Sequence, residues 1–108
     1  MVYTDGREFD WDEHNLNHTA RHRVEPDEVE AALSDPKRVG VPAYSLAGEQ
    51  RWAVLGATED GRALFVVFTI RRDKIRVITA RDAGETERKH YFEEGGELPR
   101  KARHERNR

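Results

Sequence analysis

The sequence contains no cysteine, and this absence excludes disulfide bonds, thiolate metal sites and thiol nucleophiles together. It also has no apolar run near the roughly 18 residues that a membrane span needs, and its N-terminus shows no signal-peptide pattern. The lack of cysteine agrees with a reducing compartment. We therefore expect a soluble, cytoplasmic protein that does not bind a membrane.

Several common catalytic motifs are missing as well. Neither GxxxxGK nor GxGxxG occurs in the chain, so a glycine-rich phosphate-binding loop has no candidate. Ser34 and Ser45 lack the strand–turn–helix context of a nucleophile elbow. The sequence therefore argues against P-loop nucleotide chemistry and against a serine hydrolase.

Charge is abundant in this chain. Charged residues make up 37% of its 108 residues and hydrophobic residues 36%, so one compact core carries a heavily charged surface. Residues 1–60 hold 6 Lys/Arg and 13 Asp/Glu, whereas residues 61–108 hold 13 and 8. An acidic half and a basic half indicate either a surface suited to polyanions or two solvated surfaces of opposite charge.

Apolar periodicity predicts helices in the first half of the chain and strands in the second. Asp12 is suited to cap one helix, and Pro26 to begin another that has an apolar stripe of Val29, Ala32 and Leu33. The predicted elements are a short N-terminal strand over 7–12, helices over 13–22 and 25–34, a possible strand over 37–41, strands over 51–56, 64–70 and 75–80, and a C-terminal helix over 84–95.

These elements predict an α+β fold with an antiparallel meander of three or four strands. Asp60-Gly61 is a hairpin signal, and residues 71–74 (RRDK) form a polar turn. Gly95-Gly96 is expected to end the last helix. We therefore expect a single domain over residues 1–95 and a flexible basic tail over residues 96–108.

The first candidate site is a cluster of cations that runs from the turn before the last strand to the end of that strand. Arginine supplies the planar, multi-donor group that binds a phosphodiester and stabilises its developing charge. The alternative is that these arginines only pair with carboxylates such as Glu49, Glu85 or Glu87. The cluster consists of Arg71, Arg72, Lys74, Arg76 and Arg81.

Strand alternation sorts the side chains of the last strand. Arg76 and Ile78 are expected on one face, and Ile75, Val77 and Thr79 on the other. Arg81 follows at the end of the strand, where alternation gives way to a turn. On the neighbouring strand, Thr69 and Arg71 share a face.

The second candidate is the row His14, His18 and His22, which is expected along one stripe of the first helix. Two of these residues could chelate zinc, but eight residues span about 12 Å of helix, so all three cannot share one ion. No HExxH motif is present. The other interpretations are that His22 binds phosphate or moves a proton, or that the row only packs and caps.

The third candidate is Glu87 with Arg88 and Tyr91 on the predicted last helix. Glu87 and Tyr91 lie at i and i+4, and therefore on one face. Glu87 could act as a general base or could only pair with Arg81. Tyr91 could orient a phosphate, but we favour a packing role for it.

Several short motifs follow one another across residues 7–93: Phe9-x-Trp11-Asp12, Arg21-His22, Arg51-Trp52, Gly61-Arg62, Val66 to Arg71, Ile75 to Arg81 and Glu87 to Tyr91. Each motif alone is weak, whereas the ordered set is specific. Taken in this order, the motifs resemble the BrnT toxin family, whose members were formerly of unknown function.

The resemblance implies a RelE-like fold and a type II toxin that cleaves RNA without a metal or cofactor. The implied reaction is attack of a ribose 2′-hydroxyl on the adjacent phosphate. The implied partner is a ribbon-helix-helix antitoxin. The toxin would contact operator DNA only indirectly, through this antitoxin. Carried onto this chain, the phosphate ligands would be Arg71, Arg76 and Arg81, with Arg51 nearby, and the base would be His22 or Glu87. The residues that we predict as further RNA contacts are Arg51, Arg72, Lys74 and Tyr91.

Two features depart from the family pattern. Arg23 stands where the family usually has Gly after the Arg/Lys-His pair, so the first helix must turn differently or end with strain. The segment AYSLAGEQ (43–50) is less acidic than in many members, which bears on antitoxin recognition.

Two other classes of function stay open at this point. A non-catalytic module could bind a ribbon-helix-helix antitoxin through the acidic first half and the basic tail. A metal-dependent hydrolase would use His14 and His18.

Overall fold

A computed structural model describes residues 6–43, 45 and 48–98. Within these residues the protein has three helices and four strands, which confirms the predicted α+β class. No helix among them has the length and apolar character that crossing a bilayer requires. The elements are α1 (Glu13–Ala20), α2 (Pro26–Leu33), β1 (Val39–Val41), β2 (Trp52–Ala57), β3 (Ala63–Arg71), β4 (Lys74–Asp82) and α3 (Glu85–Glu93).

The strands form one antiparallel sheet in chain order, β1-β2-β3-β4. The predicted meander is therefore confirmed, together with its fourth strand. Gly61 takes a φ of 86° in the turn between β2 and β3, as the hairpin signal predicts. Arg72 and Asp73, with φ of 55° and 66°, form the predicted turn between β3 and β4.

One face of the sheet packs against α2 and carries the main core. The predicted stripe of α2 is fully buried there. Gly56 on β2 permits this close approach, because a Cβ at that position would lie 2.1 Å from the carbonyl oxygen of Ala32. The sheet residues of this core are Val54, Leu64, Val66, Phe68, Ile75, Val77 and Ala80.

The opposite face carries a second, smaller core beneath α3. Tyr91 of α3 is buried there, against Leu55 of β2 and Ala83. The other end of the same face, toward the turn between β3 and β4, carries Arg71 and Arg76.

Asp12 caps α1 as predicted. Its carboxylate accepts a hydrogen bond from the Asn15 backbone N–H at 3.2 Å, and the Asn15 side chain accepts one from the Asp12 N–H at 2.8 Å. The pair forms a reciprocal capping box. The capping box thus satisfies the backbone N–H groups of Asp12 and Asn15 at the start of α1.

The helix α1 ends at Ala20, two residues earlier than predicted, so His22 lies in the following turn rather than on the helix. Val24 N–H donates to Thr19, and Arg23 N–H to Ala20. Arg23 has a φ of 60°. This hydrogen-bond pattern is the Schellman ending that usually takes Gly, so the chain keeps that turn and strains Arg23 by about 1–2 kcal/mol.

The strand predicted over residues 7–12 is wrong. The segment forms a single parallel bridge, between Phe9 and Ile75 on β4. Two backbone hydrogen bonds make this bridge, from Asp10 N–H to the carbonyl oxygen of Ile75 and from Ile75 N–H to that of Glu8, before the chain turns into α1 at Asp12. Phe9 and Trp11 do alternate as predicted and pack against the main core.

The described residues continue past α3 to Leu98. Gly95 ends α3 with a φ of 98°, Gly96 is buried beside Tyr91, and Leu98 packs against the second core. Gly96 and Leu98, which the prediction assigns to the tail, are thus packed beside Tyr91 and the second core. Residues 99–108, the rest of that tail, lie outside the described residues.

Candidate active site

A bulge in β4 decides which of its side chains share a face. Val67 of β3 pairs with Thr79, but the next residue, Phe68, pairs with Val77. Ile78 is therefore the extra residue of β4, and the alternation of side chains shifts by one position there.

The bulge brings Arg76 and Arg81 to the same face. Arg76 lies opposite Thr69 and Arg81 lies opposite Phe65. Phe65 and Thr69 are four residues apart on one strand and share a face, and so do their partners. Without the bulge, positions 76 and 81 would point to opposite faces.

Thr79 is the residue for which the predicted alternation is wrong. It lies opposite Val67 and therefore does not share the face of Ile75 and Val77. Its hydroxyl instead lies 3.1 Å from Nε2 of His18 on α1. The error arises because simple period-2 alternation takes no account of a bulge.

Two cavities border the arginine cluster and share Arg71 and Arg76 as lining residues. The histidine cavity, of about 240 Å³, is lined by His14, Arg51, Arg71, Arg76, Val77 and Ile78. The aspartate cavity, of about 420 Å³, is lined by Asp10, Asp12, Arg71, Arg72, Lys74 and Arg76. Four of the five predicted cations thus come together, and Arg51 joins them from the start of β2.

Glu49 is the carboxylate nearest to two of these arginines. Its Oε1 accepts hydrogen bonds from Nη2 and Nε of Arg71, at 2.7 and 3.2 Å, and its Oε2 lies 3.7 Å from Nε of Arg51. The hydrogen bond from Arg71 is the main cause that lowers the pKa of Glu49. In the described part of the chain, Nε of Arg51 is a buried donor without a hydrogen-bond partner.

Arg76 connects the cluster to α1. Its side chain is only 12% exposed, and its Nη1 lies 3.0 Å from Asp12 and 3.5 Å from Asp10. The hydrogen bond between Arg76 and Asp12 lowers the pKa of the Asp12 carboxyl and raises that of the guanidinium. Because Asp12 also caps α1, the position of that helix is tied to β4 beside the two cavities.

Arg81 lines neither cavity, and its Cα lies roughly 15 Å along β4 from that of Arg76. Its two Nη atoms donate to Glu87 at 2.9 and 3.0 Å, and its guanidinium lies 4.3 Å from the ring centre of Phe65. Hydrogen bonding to Arg81 lowers the pKa of Glu87, which also accepts the Gly84 N–H at the start of α3. The predicted alternative of carboxylate pairing is therefore confirmed for Glu87, as it is for Glu49.

The three histidines have different surroundings in the structure. His14, in the first turn of α1, lines the histidine cavity. His18 contacts Thr79, and burial lowers its pKa. His22 lines neither cavity, and its ring centre lies 5.7 Å from that of His18. Across residues 6–43, 45 and 48–98, no three His, Asp or Glu side chains are grouped so as to hold a metal ion.

Tyr91 has the packing role that we favoured. It is 0% exposed, and its hydroxyl donates to Asp35 at 2.5 Å. Burial raises the pKa of Tyr91, and the hydrogen bond to Asp35 raises it further. A side chain without exposed surface offers RNA no contact, so the predicted RNA-binding role of Tyr91 does not fit its position. Arg88, on the same helix, lies over the ring of Phe92.

A family model for the ribonuclease toxin BrnT of type II toxin–antitoxin systems matches residues 11–87. The chain belongs to the BrnT family. The matched range includes every arginine of the two cavities and the pair Arg81–Glu87. As members of this family are ribonuclease toxins, RNA and an antitoxin are the partners that membership implies. No curated protein matches the chain in sequence.

Three residues around the arginines of this BrnT-family chain were not predicted as parts of the cluster. Asp10 and Asp12 alternate with the apolar Phe9 and Trp11, a pattern that places the two carboxylates on the side away from the core. That alternation was visible in the sequence. The approach of His14 to the arginines was not, because it depends on how α1 docks against β4.

Proposed function

We propose that this BrnT-family chain is a metal-independent endoribonuclease acting by attack of a ribose 2′-hydroxyl on the adjacent phosphate. A cytoplasmic location, neutralisation by a ribbon-helix-helix antitoxin and a RelE-like arrangement of the helices are part of the proposal. The observation that carries it is the convergence of Arg51, Arg71 and Arg76 on one cavity that a histidine also lines.

The three guanidinium groups suit a phosphate whose negative charge grows in the transition state. Nε of Arg51 makes no hydrogen bond within the described residues, and Oε2 of Glu49 lies 3.7 Å from it. Arg71 binds Glu49 in a partly exposed ion pair, which a phosphate oxygen can replace at small cost. Arg51 and Arg71 are thus proposed as phosphate ligands. Arg76, whose side chain is the least exposed of the three, is proposed as the third phosphate ligand.

Arg72 and Lys74 line the neighbouring aspartate cavity. We assign them to the next phosphate of the RNA backbone, where positive charge adds affinity without reading sequence. The Cα of Arg81 lies about 15 Å along β4 from that of Arg76, and Glu87 holds its guanidinium. Arg81 is therefore proposed to contact a more distant phosphate. Glu87 then acts as the residue that positions Arg81.

Both general bases suggested by the sequence lie outside the histidine cavity. His22 is in the turn after α1, and Glu87 is at the start of α3. Because Arg81 lowers the pKa of Glu87, its carboxylate is also a weak base near neutral pH. The proton acceptor of the proposed reaction must therefore be sought elsewhere.

The proposal is tested by incubating purified protein with RNA in the presence of EDTA. We expect cleavage that leaves 2′,3′-cyclic phosphate and 5′-hydroxyl ends, since these are the products of 2′-hydroxyl attack. An Arg71→Ala preparation purified in parallel controls for contaminating nucleases, which would cleave equally in both. Intact RNA, cleavage that EDTA abolishes, or 5′-phosphate ends would each refute the proposal.

The carboxylate partners of Arg71, Arg76 and Arg81 favour one second candidate, a non-catalytic module that acts only by binding an antitoxin. It predicts a stable complex with the ribbon-helix-helix protein encoded by a neighbouring reading frame. It also predicts normal growth and intact RNA when the chain is expressed alone at a high level. Growth arrest with RNA cleavage would exclude it.

A further inference from the structure

We infer that His14 is the catalytic residue that accepts the proton of the attacking ribose 2′-hydroxyl. The inference rests on the proposed ribonuclease function and assigns the proton acceptor of that reaction. His14 lines the cavity on which Arg51, Arg71 and Arg76 converge, and it does so from a helix rather than from the sheet. A phosphate held by the three arginines would therefore have an imidazole beside it.

The position of His14 is fixed by its neighbours on α1. Asp12, two residues earlier, caps the helix and binds Arg76. Asn15, the next residue, is buried, and its side-chain amide donates to the carbonyl oxygens of Asp10 and Val77 at 2.9 and 3.2 Å. Both contacts hold the first turn of α1 against β4, so the backbone of His14 is preorganised beside the cavity.

The imidazole of His14 is available for proton transfer. It is exposed, and within the described residues it has no hydrogen bond to another side chain. His18 differs because its Nε2 contacts Thr79 and burial lowers its pKa. Histidine is the side chain best suited to take and release a proton near neutral pH.

An imidazole nitrogen of His14 takes the proton of the 2′-hydroxyl while the 2′-oxygen bonds to phosphorus. The bond between phosphorus and the 5′-oxygen breaks, and this oxygen leaves with its electron pair and takes a proton from solvent water. The imidazolium then returns its proton to the solvent, and the products are a 2′,3′-cyclic phosphate and a 5′-hydroxyl.

The test compares His14→Gln with His22→Gln and His90→Gln. Gln keeps polarity and hydrogen bonding but cannot serve as a base, and His90 is exposed on α3, outside both cavities. We measure kcat and KM on an RNA oligonucleotide, and Kd for its 2′-O-methyl analogue, which has no attacking hydroxyl. His14→Gln is expected to lower kcat about 10²–10⁴-fold, with Kd within about threefold of wild type.

A second variant, His14→Ala, is assayed with added free imidazole, which is expected to restore part of kcat if His14 supplies only a base. Circular dichroism of each variant reports its fold. The inference is overturned if His14→Gln keeps kcat within about threefold of wild type, if its loss is entirely in Kd or in folding, or if imidazole does not rescue His14→Ala. Failure of the wild-type protein to cleave would instead refute the proposed function, and the inference with it.

Discussion

Arg51 and Arg62 have similarly buried side chains, 21% and 24% exposed, but opposite surroundings. Arg62 donates at 2.8 Å to Glu28, to Asp82 and to the carbonyl oxygen of Arg23. Arg51 has a buried Nε without a hydrogen-bond partner among the described residues. The satisfied donors of Arg62 indicate a structural role, whereas Arg51, which lines the histidine cavity, keeps one donor without a hydrogen bond.

The same contrast separates two regions of the molecule. Around Arg62, carboxylates and carbonyl groups hold α2, β4 and the strained turn at Arg23 together. Around Arg71, the described residues supply a single, partly exposed carboxylate partner, Glu49. The first region is therefore expected to determine stability and the second to determine activity.

Of the effects expected from this comparison between Arg71 and Arg62, the largest is that of Arg71→Ala on RNA cleavage. Removing one donor to the developing charge should lower kcat/KM about 100-fold. Because the lost ion pair is partly exposed, the free energy of unfolding should change by less than about 1 kcal/mol. Both are measured on one preparation, by oligonucleotide cleavage and by urea titration. Lys89→Ala, which removes an exposed cation from α3, should affect neither; equal losses in both variants would show that only net charge matters.

Arg62→Ala should show the reverse behaviour. It leaves Glu28 without its charged partner and removes a donor from the carbonyl oxygen of Arg23, so we expect a loss of about 2 kcal/mol in the free energy of unfolding. Cleavage per folded molecule should stay near that of wild type. Arg88→Ala, whose contact is with the exposed Phe92, is the matched control. An unchanged urea midpoint for Arg62→Ala would contradict the structural role of Arg62.

The smallest expected effect concerns Glu87 and pH. Because Arg81 lowers the pKa of Glu87 in the folded state, this carboxylate stabilises the protein above its unfolded pKa, near 4.5. That contribution is lost as the pH falls below 4.5 and through the lower folded pKa. Glu87→Gln should therefore make the acid decline of stability shallower, by less than about 1 kcal/mol, because the pair is partly exposed. Urea titrations from pH 7 to pH 3 test this, with Glu93→Gln as control, and identical declines for Glu87→Gln and wild type would contradict it.

Local patterns were sufficient to predict much of the fold. The stripe Val29, Ala32 and Leu33 is buried as predicted, since helical spacing alone places it on one side of α2. Asp12 and Gly61 occupy the cap and the turn that their chemistry favours. These features depend on residues within about one or two turns of the chain, and the sequence displays them directly.

The candidate site was predicted only in part. Arg71, Arg72, Lys74 and Arg76 do border shared cavities, whereas Arg81, also expected there, lies farther along the strand. The bulge at Ile78 depends on pairing with β3, and α1 stops before His22 because its end turns at Arg23. Neither has a local sequence signal strong enough to override period-2 or helical spacing.

The sequence by itself determined the α+β class, the antiparallel meander, the basic character of the last hairpin and the membership of the BrnT family. Only the tertiary structure decided which arginines meet, which are held by carboxylates, and that His14 rather than His22 stands beside them. The physical reason is the range of the interactions. Periodicity, capping and turn preferences act within a few residues, whereas a cavity and its ion pairs are assembled from strands and helices far apart in the chain.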